Sequence, residues 1–440
     1  MLSYKKIADL NYCNSSENVN FISWCSYLPK FGAVEQFFKF FRNMFGHLIL
    51  GFHPLKLMVP KQQIMFFYMS KNNFDSLKPV ADLLPNSVLI TAHPKWKEGY
   101  LIPMFFAYLF SLPFLPILLC YTYKSKGYQR KSFSSFFERY WLTFGFYYFL
   151  RIYLRLTVPK AIVVANDHRP EPRTLVLVTQ ELKIPTFYIQ HASVNETFPP
   201  LNFDYALLEG KDSLSKYSKS GEIKSKVFLI GMPKFDKYFS GINKSVNLRK
   251  LGICTNTLDP LEEVSSIVEY LNKRFPTIEL FLRPHPGSKD KVFYQKLAND
   301  VLGEYSDPDV EDAFAFLKKV DAIIACDSSI LLEAVLLNVY PIYYDYRNEK
   351  IDSYGYVKNG LADYANNYRD LGVIIDRLIN NKPYIRNKAK YYCETVGTES
   401  DGKSTELAKY VISSIVFSNS KLNQGEVRVR TKRKNIGKLS

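Results

Sequence analysis

The chain has 440 residues, of which 47% are hydrophobic and 15% aromatic, so it is long enough for two domains and disorder of the whole chain is excluded. Its net charge of +16 calls for an anionic partner. Basic residues adjoin apolar aromatic stretches, as Lys124, Lys126 and Arg130 do, which fits an anionic membrane surface better than nucleic acid. The six cysteines are scattered without metal-site spacing, as in a reducing compartment.

Residues 1–60 form an aromatic-rich segment with helical periodicity. Phe37, Phe40 and Phe41 share one helical face, whereas Lys39 and Arg42 point elsewhere. Such a face either packs against a protein core or lies in a membrane interface. The sequence leaves both alternatives open.

Strands and helices alternate from residue 61 onward. Residues 64–69 and 87–92 are short apolar runs separated by a helical stretch, which predicts βαβ units in a parallel sheet.

An apolar insertion follows at residues 101–158. Its run 101–121 is long enough to cross a membrane, but Pro103, Pro113 and Pro116 remove backbone donors that lipid cannot replace. We therefore predict a re-entrant or interfacial helical hairpin, continued by residues 141–158.

The same alternation predicts further strands in both halves of the chain, at residues 160–165, 186–189, 205–208, 227–230, 251–255, 279–283, 322–326 and 339–343. This pattern is typical of an α/β protein with two Rossmann-like, doubly wound domains that face a cleft. We predict an N-terminal acceptor domain at residues 61–225 and a C-terminal nucleotide-sugar-binding domain at 226–420. A basic, disordered tail is expected at residues 421–440.

Two polar motifs follow strands of the C-terminal half. Prolines stiffen the turn that carries Arg283 and His285, and a guanidinium with an imidazole suits a phosphate group. Ser328 and Ser329 stand where a strand passes into a helix, and Glu333 lies one turn later, where it could accept bonds from ribose hydroxyls. Each residue also has a purely structural alternative. His285 could bond to the backbone and Arg283 could pair with a carboxylate. The serines could cap the helix, and Glu333 could be solvated or paired.

Polar residues also follow two strands of the N-terminal half. Asp167 and His168 come after the strand at 160–165, and His191 and Glu196 come after the strand at 186–189. Any of the four could be the general base that deprotonates a sugar hydroxyl. Each could equally be a loop or capping residue, and the sequence does not rank them.

With these motifs the chain resembles bacterial GT-B glycosyltransferases of surface-polysaccharide assembly, in particular sialyltransferases and Kdo transferases that use CMP-activated nonulosonic acids. Those enzymes pair a His-Pro motif with a Ser-Ser motif, and His285-Pro286 and Ser328-Ser329 match both in order. Residues 166–236 also resemble capsule and teichoic-acid polymerising proteins. The acidic-acidic-glycine motif of many bacterial sialyltransferases has its nearest counterpart in Glu209-Gly210.

The resemblance implies transfer of sialic acid or a Kdo-like nonulosonic acid from a CMP donor to a surface glycan such as O-antigen, capsule or lipooligosaccharide. His285, Ser328 and Ser329 would hold the CMP phosphate without a metal or other cofactor. Expected partners are the nucleotide-sugar donor, a lipid-linked glycan acceptor and an anionic membrane, but no nucleic acid. The expected place is the cytoplasmic face of the bacterial inner membrane, with peripheral or monotopic attachment.

Three alternatives to this function remain. A glycerophosphotransferase that uses CDP-glycerol would share the motifs, and a non-catalytic binding protein of polysaccharide export would share the fold. A UDP-sugar epimerase shares the two-domain architecture. The aromatic, basic segments disfavour the epimerase, because an enzyme that acts on a soluble sugar nucleotide does not need to bind a membrane.

Overall fold

Two parallel β-sheets organise the chain in the computed structural model, which describes residues 3–11, 32–51, 58–96, 98–166, 168–196 and 198–417. The first sheet has the order β3-β2-β1-β4-β5-β6-β7. Its strands are β1 (Ile64–Tyr68), β2 (Ser87–Thr91), β3 (Tyr100–Leu101), β4 (Ala161–Val164), β5 (Thr186–Ile189), β6 (Tyr205–Leu208) and β7 (Lys226–Leu229). All pair in parallel, and the order reverses between β1 and β4, so the sheet is doubly wound.

The second sheet is also parallel and has the order β10-β9-β8-β11-β12-β13. Its strands are β8 (Lys250–Cys254), β9 (Glu279–Arg283), β10 (Glu304–Tyr305), β11 (Ala322–Ala325), β12 (Tyr340–Tyr344) and β13 (Asp363–Ala365). The predicted α/β class with two doubly wound sheets is confirmed. The short strands β3, β10 and β13 were not predicted, because two or three residues give no apolar run to recognise.

Helices cover both sheets. They are α1 (Tyr4–Leu10), α2 (Ala33–Gly51), α3 (Lys71–Leu83), α4 (Met104–Ser111), α5 (Leu115–Lys124), α6 (Gly127–Ser135), α7 (Phe137–Thr157), α8 (Pro170–Glu181), α9 (Lys211–Ser220), α10 (Leu261–Arg274), α11 (Lys291–Asp300), α12 (Ala313–Leu317), α13 (Ile330–Leu336), α14 (Tyr368–Asn380) and α15 (Ser404–Phe417). Three 3-10 helices occupy Leu112–Phe114, Pro233–Gly241 and Arg386–Tyr391. The tail at residues 421–440 lies outside the described residues.

Helices α2, α4 and α7 form a layer rich in aromatic side chains. Trp141 of α7 stacks on Phe40, with ring centroids 3.7 Å apart, and its indole Nε1 donates to the Ser111 carbonyl at 2.7 Å. Phe40 is fully buried, so the predicted aromatic face of α2 packs against protein. The same helix has a second apolar face in solvent, where Phe38 is 66% exposed and Ile49 is 77% exposed.

The predicted hairpin region contains α4 and α5. Within the described residues, Met104–Lys124 is the one helical stretch long and apolar enough to cross a membrane, and 28% of its most apolar part is buried. The 3-10 helix Leu112–Phe114 divides it at Pro113. Several large apolar side chains here are partly exposed, among them Phe106, Phe110 and Leu119.

Gly145 marks the closest approach between α7 and α4. A Cβ atom at this position would lie 2.1 Å from both the Ala107 carbonyl oxygen and the Ser111 hydroxyl. We expect Gly145→Ala to lower the free energy of unfolding by about 1–3 kcal/mol, because overpacking forces the two helices apart. Urea denaturation followed by circular dichroism measures this loss. Gly46→Ala in α2 is the matched control, since nothing lies within 4 Å of its Cβ position; equal stability of both variants would contradict the prediction.

The predicted boundary between the domains, at residues 225 and 226, needs two corrections. Strand β7 pairs with β6 and thus belongs to the first sheet. Helix α15 also returns to that sheet, where Ala408 and Ile412 are buried in its core beside Phe66. The Asp236 carboxylate fixes this return by accepting from the Thr405 backbone N–H at 2.7 Å. Only packing between distant segments decides this placement, so the local pattern did not reveal it.

Candidate functional site

A cavity of 180 Å³ lies at the carboxyl edge of the second sheet. It is formed after β8, β9 and β11, where the strand order reverses between β8 and β11. Open α/β sheets bind ligands at such a reversal. All five predicted donor-binding residues line the cavity: Arg283, His285, Ser328, Ser329 and Glu333.

His285 is oriented by its own turn. Its Nδ1 accepts a hydrogen bond from the Gly287 backbone N–H at 2.9 Å, so the proton of the neutral ring resides on Nε2. Partial burial lowers the pKa of the imidazole, which favours this neutral form. His285 therefore presents an N–H donor at the cavity, as a phosphate oxygen requires.

Arg283 is held more firmly than the sequence suggested. Its Nη1 donates to the Ser306 hydroxyl at 2.6 Å, and its Nη2 donates to the Glu311 carbonyl at 2.9 Å. The side chain is 5% exposed. Nη1 and Nη2 each keep a second N–H, so direct binding of the phosphate by this guanidinium stays a prediction. Its two protein bonds fix the positive charge of Arg283 in the cavity wall.

The serine motif and Glu333 form the opposite wall. The Ser329 hydroxyl donates to the Glu333 carboxylate at 3.4 Å, and the Ser328 hydroxyl accepts from the Ile330 backbone N–H at 3.5 Å. These contacts are long, so both hydroxyls can turn toward a ligand. Burial raises the pKa of Glu333, while the positive charge of Lys234 opposes that rise.

A larger cavity of 560 Å³, the cleft, lies between α3 of the first domain and the linking segment at residues 233–238. Glu333 and Ala313 line both this cleft and the smaller cavity, so the two spaces adjoin. Lys234 also lines the cleft, and its Nζ donates to the His191 carbonyl at 2.8 Å. Lys234 therefore connects the end of β5 with the cleft that adjoins the smaller cavity.

His191 follows β5 and is almost completely buried. It donates to the Ala165 carbonyl, whereas its Nδ1 has no hydrogen-bond partner. The ring is consequently held with Nε2 protonated and a lone pair on Nδ1. Burial, aided by the charge of Lys234, lowers the pKa of His191 to about 3, so the ring is neutral at physiological pH. The ring therefore offers a free lone pair to a proton, while its low pKa makes it a weak base.

The other three predicted bases are placed differently. Asp167 lies outside the described residues. His168 is close enough to His191 to lower its pKa, and its ring packs edge-on against Phe198 at 4.1 Å. The Glu196 side chain is 59% exposed and lies 2.5 Å from the Lys219 ammonium, which lowers the pKa of the carboxyl. Basicity does not separate Glu196 from His191, since the pKa of each is lowered. Glu196 is held in an ion pair at the surface, whereas the His191 lone pair has no partner, and this availability favours His191.

Glu209 is a buried carboxylate that we did not predict as a site residue. It follows β6, and the Gln190 side-chain amide donates to it at 2.8 Å. Burial raises its pKa to about 7, with the charge of Lys234 acting in the opposite direction. The signal was present in the sequence as Glu209-Gly210. Lys234 was likewise visible, in the turn at 231–236 that leads to the second domain.

The raised pKa of Glu209 predicts a pH-dependent stability. The Glu209 carboxyl binds its proton more tightly in the folded state than in the unfolded state. The protonated carboxyl therefore contributes fully to the free energy of unfolding below pH 4.5, and this contribution is lost as pH rises through about 7. Glu209→Gln should make the free energy of unfolding less dependent on pH across that interval. Urea titrations at several pH values measure it, with exposed Glu222→Gln as the control. An unchanged slope in Glu209→Gln would contradict the prediction.

No protein-family model and no curated protein matches this sequence. Solved structures do match in fold. A protein assigned as UDP-N-acetylglucosamine 2-epimerase from Listeria monocytogenes aligns over 82% of this chain and 98% of its own, with a TM-score of 0.56 and 13% identity. The UDP-N-acetylglucosamine 2-epimerase from Neisseria meningitidis, solved with UDP-GlcNAc bound, aligns over 81% and 100%, with a TM-score of 0.53 and 15% identity.

The wall teichoic acid polymerase TagF aligns over 88% of this chain and 98% of its own, with a TM-score of 0.49 and 12% identity. At these identities the comparisons concern the architecture alone. Both epimerases match over nearly their whole length, and the two doubly wound sheets agree with the predicted class. The chain therefore has a two-domain, Rossmann-like GT-B fold.

Proposed function

We propose that this protein is a glycosyltransferase that binds a nucleotide-activated sugar with its phosphate in the 180 Å³ cavity. One observation carries the proposal. Two motifs that are 43 residues apart in the numbering, at His285 and Ser328, meet at the strand-order reversal of the second sheet. Hydroxyl groups and an imidazole N–H converge there beside a buried guanidinium, as the binding of a phosphate requires.

The same geometry supports a mechanism. The His191 Nδ1 lone pair would accept the proton of an acceptor hydroxyl as that hydroxyl attacks the sugar. The departing nucleotide phosphate would be stabilised by His285 and the two serines, with positive charge from Arg283 and Lys234. No metal or other cofactor takes part in this proposal, so full activity in excess EDTA is expected.

The donor that we propose is a CMP-activated nonulosonic acid, such as CMP-sialic acid or CMP-Kdo. Support comes from the resemblance of His285-Pro286 and Ser328-Ser329 to the paired motifs of enzymes that use these donors. A CDP-glycerol-dependent transferase is the second candidate, since its donor presents the same cytidine and phosphate chemistry. The fold similarity to two epimerases makes UDP-N-acetylglucosamine a necessary comparison.

A donor panel tests this function. Purified protein is incubated with CMP-sialic acid, CMP-Kdo, CDP-glycerol or UDP-N-acetylglucosamine, and nucleotide release and sugar products are followed by mass spectrometry. We expect CMP release from a CMP-sugar, lost in His285→Ala. Turnover of CDP-glycerol alone would support the second candidate. Conversion of UDP-N-acetylglucosamine without nucleotide release would overturn the transferase proposal, and no reaction with any donor would favour a non-catalytic binding protein.

We further propose peripheral or monotopic attachment to the cytoplasmic face of the bacterial inner membrane, where a lipid-linked acceptor is available. Exposed Phe38, Phe45 and Ile49 on α2 support this, together with the basic residues Lys124 and Lys126 after α5. Flotation with anionic vesicles should show binding that the triple serine variant of the three α2 residues loses. Val292→Ser with Val373→Ser, exposed on the second domain, is the control. Equal flotation of both variants would contradict attachment through α2.

A further inference from the structure

A separate cavity of 310 Å³ lies among the helices that cover the first sheet. Its walls come from α2, α4, the N-terminal half of α7 and the start of α8. Helix α8 begins shortly after β4 ends, so the cavity lies at the carboxyl edge of the first sheet. Arg169, which lines it, directly follows His168, a residue that interacts electrostatically with His191. The cavity wall is therefore one residue along the chain from His168, and the cavity shares no lining residue with the two cavities of the donor side.

One wall of this cavity is held rigid by Glu138. Its carboxylate lies 2.8 Å from the Lys39 ammonium, and it also accepts from Asn43 and, at 3.4 Å, from the Tyr108 hydroxyl. The side chain is buried and its oxygens are satisfied by these partners. Glu138 thus fixes the positions of the groups around it.

Two other polar atoms in the wall have no hydrogen-bond partner. Gln36 is 2% exposed, and its Nε2 makes no hydrogen bond. The Glu171 Oε2 also makes none, since the nearest cation, Arg169 Nε, is 3.7 Å away. A buried amide donor without an acceptor is costly, and Glu171 Oε2 has only the long ion pair with Arg169. A ligand that offers both a hydroxyl oxygen and a hydroxyl hydrogen would satisfy them together.

The charges around the cavity point to an uncharged ligand. Glu138 and Glu171 stand in the first turns of α7 and α8, where they offset the positive ends of the two helices. They also oppose the cations Lys39, Arg139 and Arg169, so a phosphate would meet two carboxylates. Phe136 and Phe146 add aromatic surface. A mixture of amide, carboxylate and aromatic groups is suited to the hydroxyls and apolar face of a sugar ring.

We propose that this cavity binds an uncharged sugar unit of the acceptor glycan, with Gln36 and Glu171 on its hydroxyls. The inference rests on the proposed glycosyltransferase function and adds the place and chemical class of the acceptor. Because Arg169 of the cavity wall is the chain neighbour of His168, which interacts with His191, a glycan seated there would extend its next hydroxyl toward the base. Helices of the insertion and of the N-terminal segment would then select the acceptor as well as attach to the membrane.

Saturation-transfer NMR with a fixed set of neutral sugars tests this proposal: lactose, N-acetyllactosamine, maltose, N-acetylglucosamine and methyl α-mannoside. We expect at least one sugar to bind, with its signal unchanged by saturating CMP. The signal should fall at least tenfold in Gln36→Leu and in Glu171→Leu. Glu196→Leu, exposed at the surface, is the matched control and should bind as the wild type does.

The outcomes separate the cavity from the donor site. Absence of sugar binding in the wild type, or binding that Gln36→Leu and Glu171→Leu both retain, would overturn the proposal. Displacement of the sugar by CMP would also overturn it, because the ligand would then occupy the donor cavity. If the proposed glycosyltransferase function is wrong, the donor panel will show this as an absence of CMP release from CMP-sugars. Circular dichroism of each variant shows that a lost signal does not come from unfolding.

Discussion

His191→Ala is expected to reduce sugar transfer by about 10²–10⁴-fold while CMP binding stays within twofold of the wild type. The reason is the lone pair on Nδ1, which is buried, unpartnered and oriented by the bond to Ala165. The donor-binding residues belong to the other domain, so the affinity for CMP does not depend on the His191 ring. Initial rates of transfer and calorimetric CMP titrations measure the two effects separately.

Two further variants sharpen this result. His191→Gln keeps most of the buried volume, so it should fold as the wild type does and still lose transfer. Glu196→Gln, on an exposed salt bridge, is the matched control and should retain full activity. Because the pKa of His191 is about 3, protonation of its ring should not reduce the rate between pH 5 and 8. Retained transfer in His191→Gln would show that another group is the base.

The second large effect concerns the donor cavity. We expect His285→Ala to weaken CMP binding at least tenfold, and the double variant Ser328→Ala with Ser329→Ala to weaken it about 100-fold. Each hydrogen bond to a charged group contributes about 1.5–3 kcal/mol, and 1.4 kcal/mol corresponds to a factor of ten. Calorimetry on the complete chain measures these affinities without requiring turnover.

The controls for the donor cavity use conservative and remote changes. His285→Gln should recover part of the lost affinity, because its amide keeps an N–H donor near the position of Nε2. Ser266→Ala on α10, a residue that does not line the cavity, should bind CMP as the wild type does. Unchanged affinity in His285→Ala would contradict the assignment of this cavity to the phosphate.

Local patterns in the sequence were sufficient for the longer strands of the two sheets and for the residues of the donor motif. Each central strand is a continuous apolar run, since parallel strands are buried on both faces. Polar residues that follow such strands must lie at one edge, so His285 and Ser328 could be placed before any coordinates were known. Strand periodicity and chain direction are properties of neighbouring residues, and the sequence displays them directly.

The tertiary structure decided everything that depends on distant partners. In the tertiary structure Arg283 forms hydrogen bonds with Ser306 and Glu311, and Glu196 is exposed. The tertiary structure also brought His191 and Lys234 together. Helix α15 returned to the first sheet for the same reason. Burial and pairing arise from contacts between segments far apart in the chain, so the sequence determined which groups stand at the strand ends, and packing alone determined which of them are free to act.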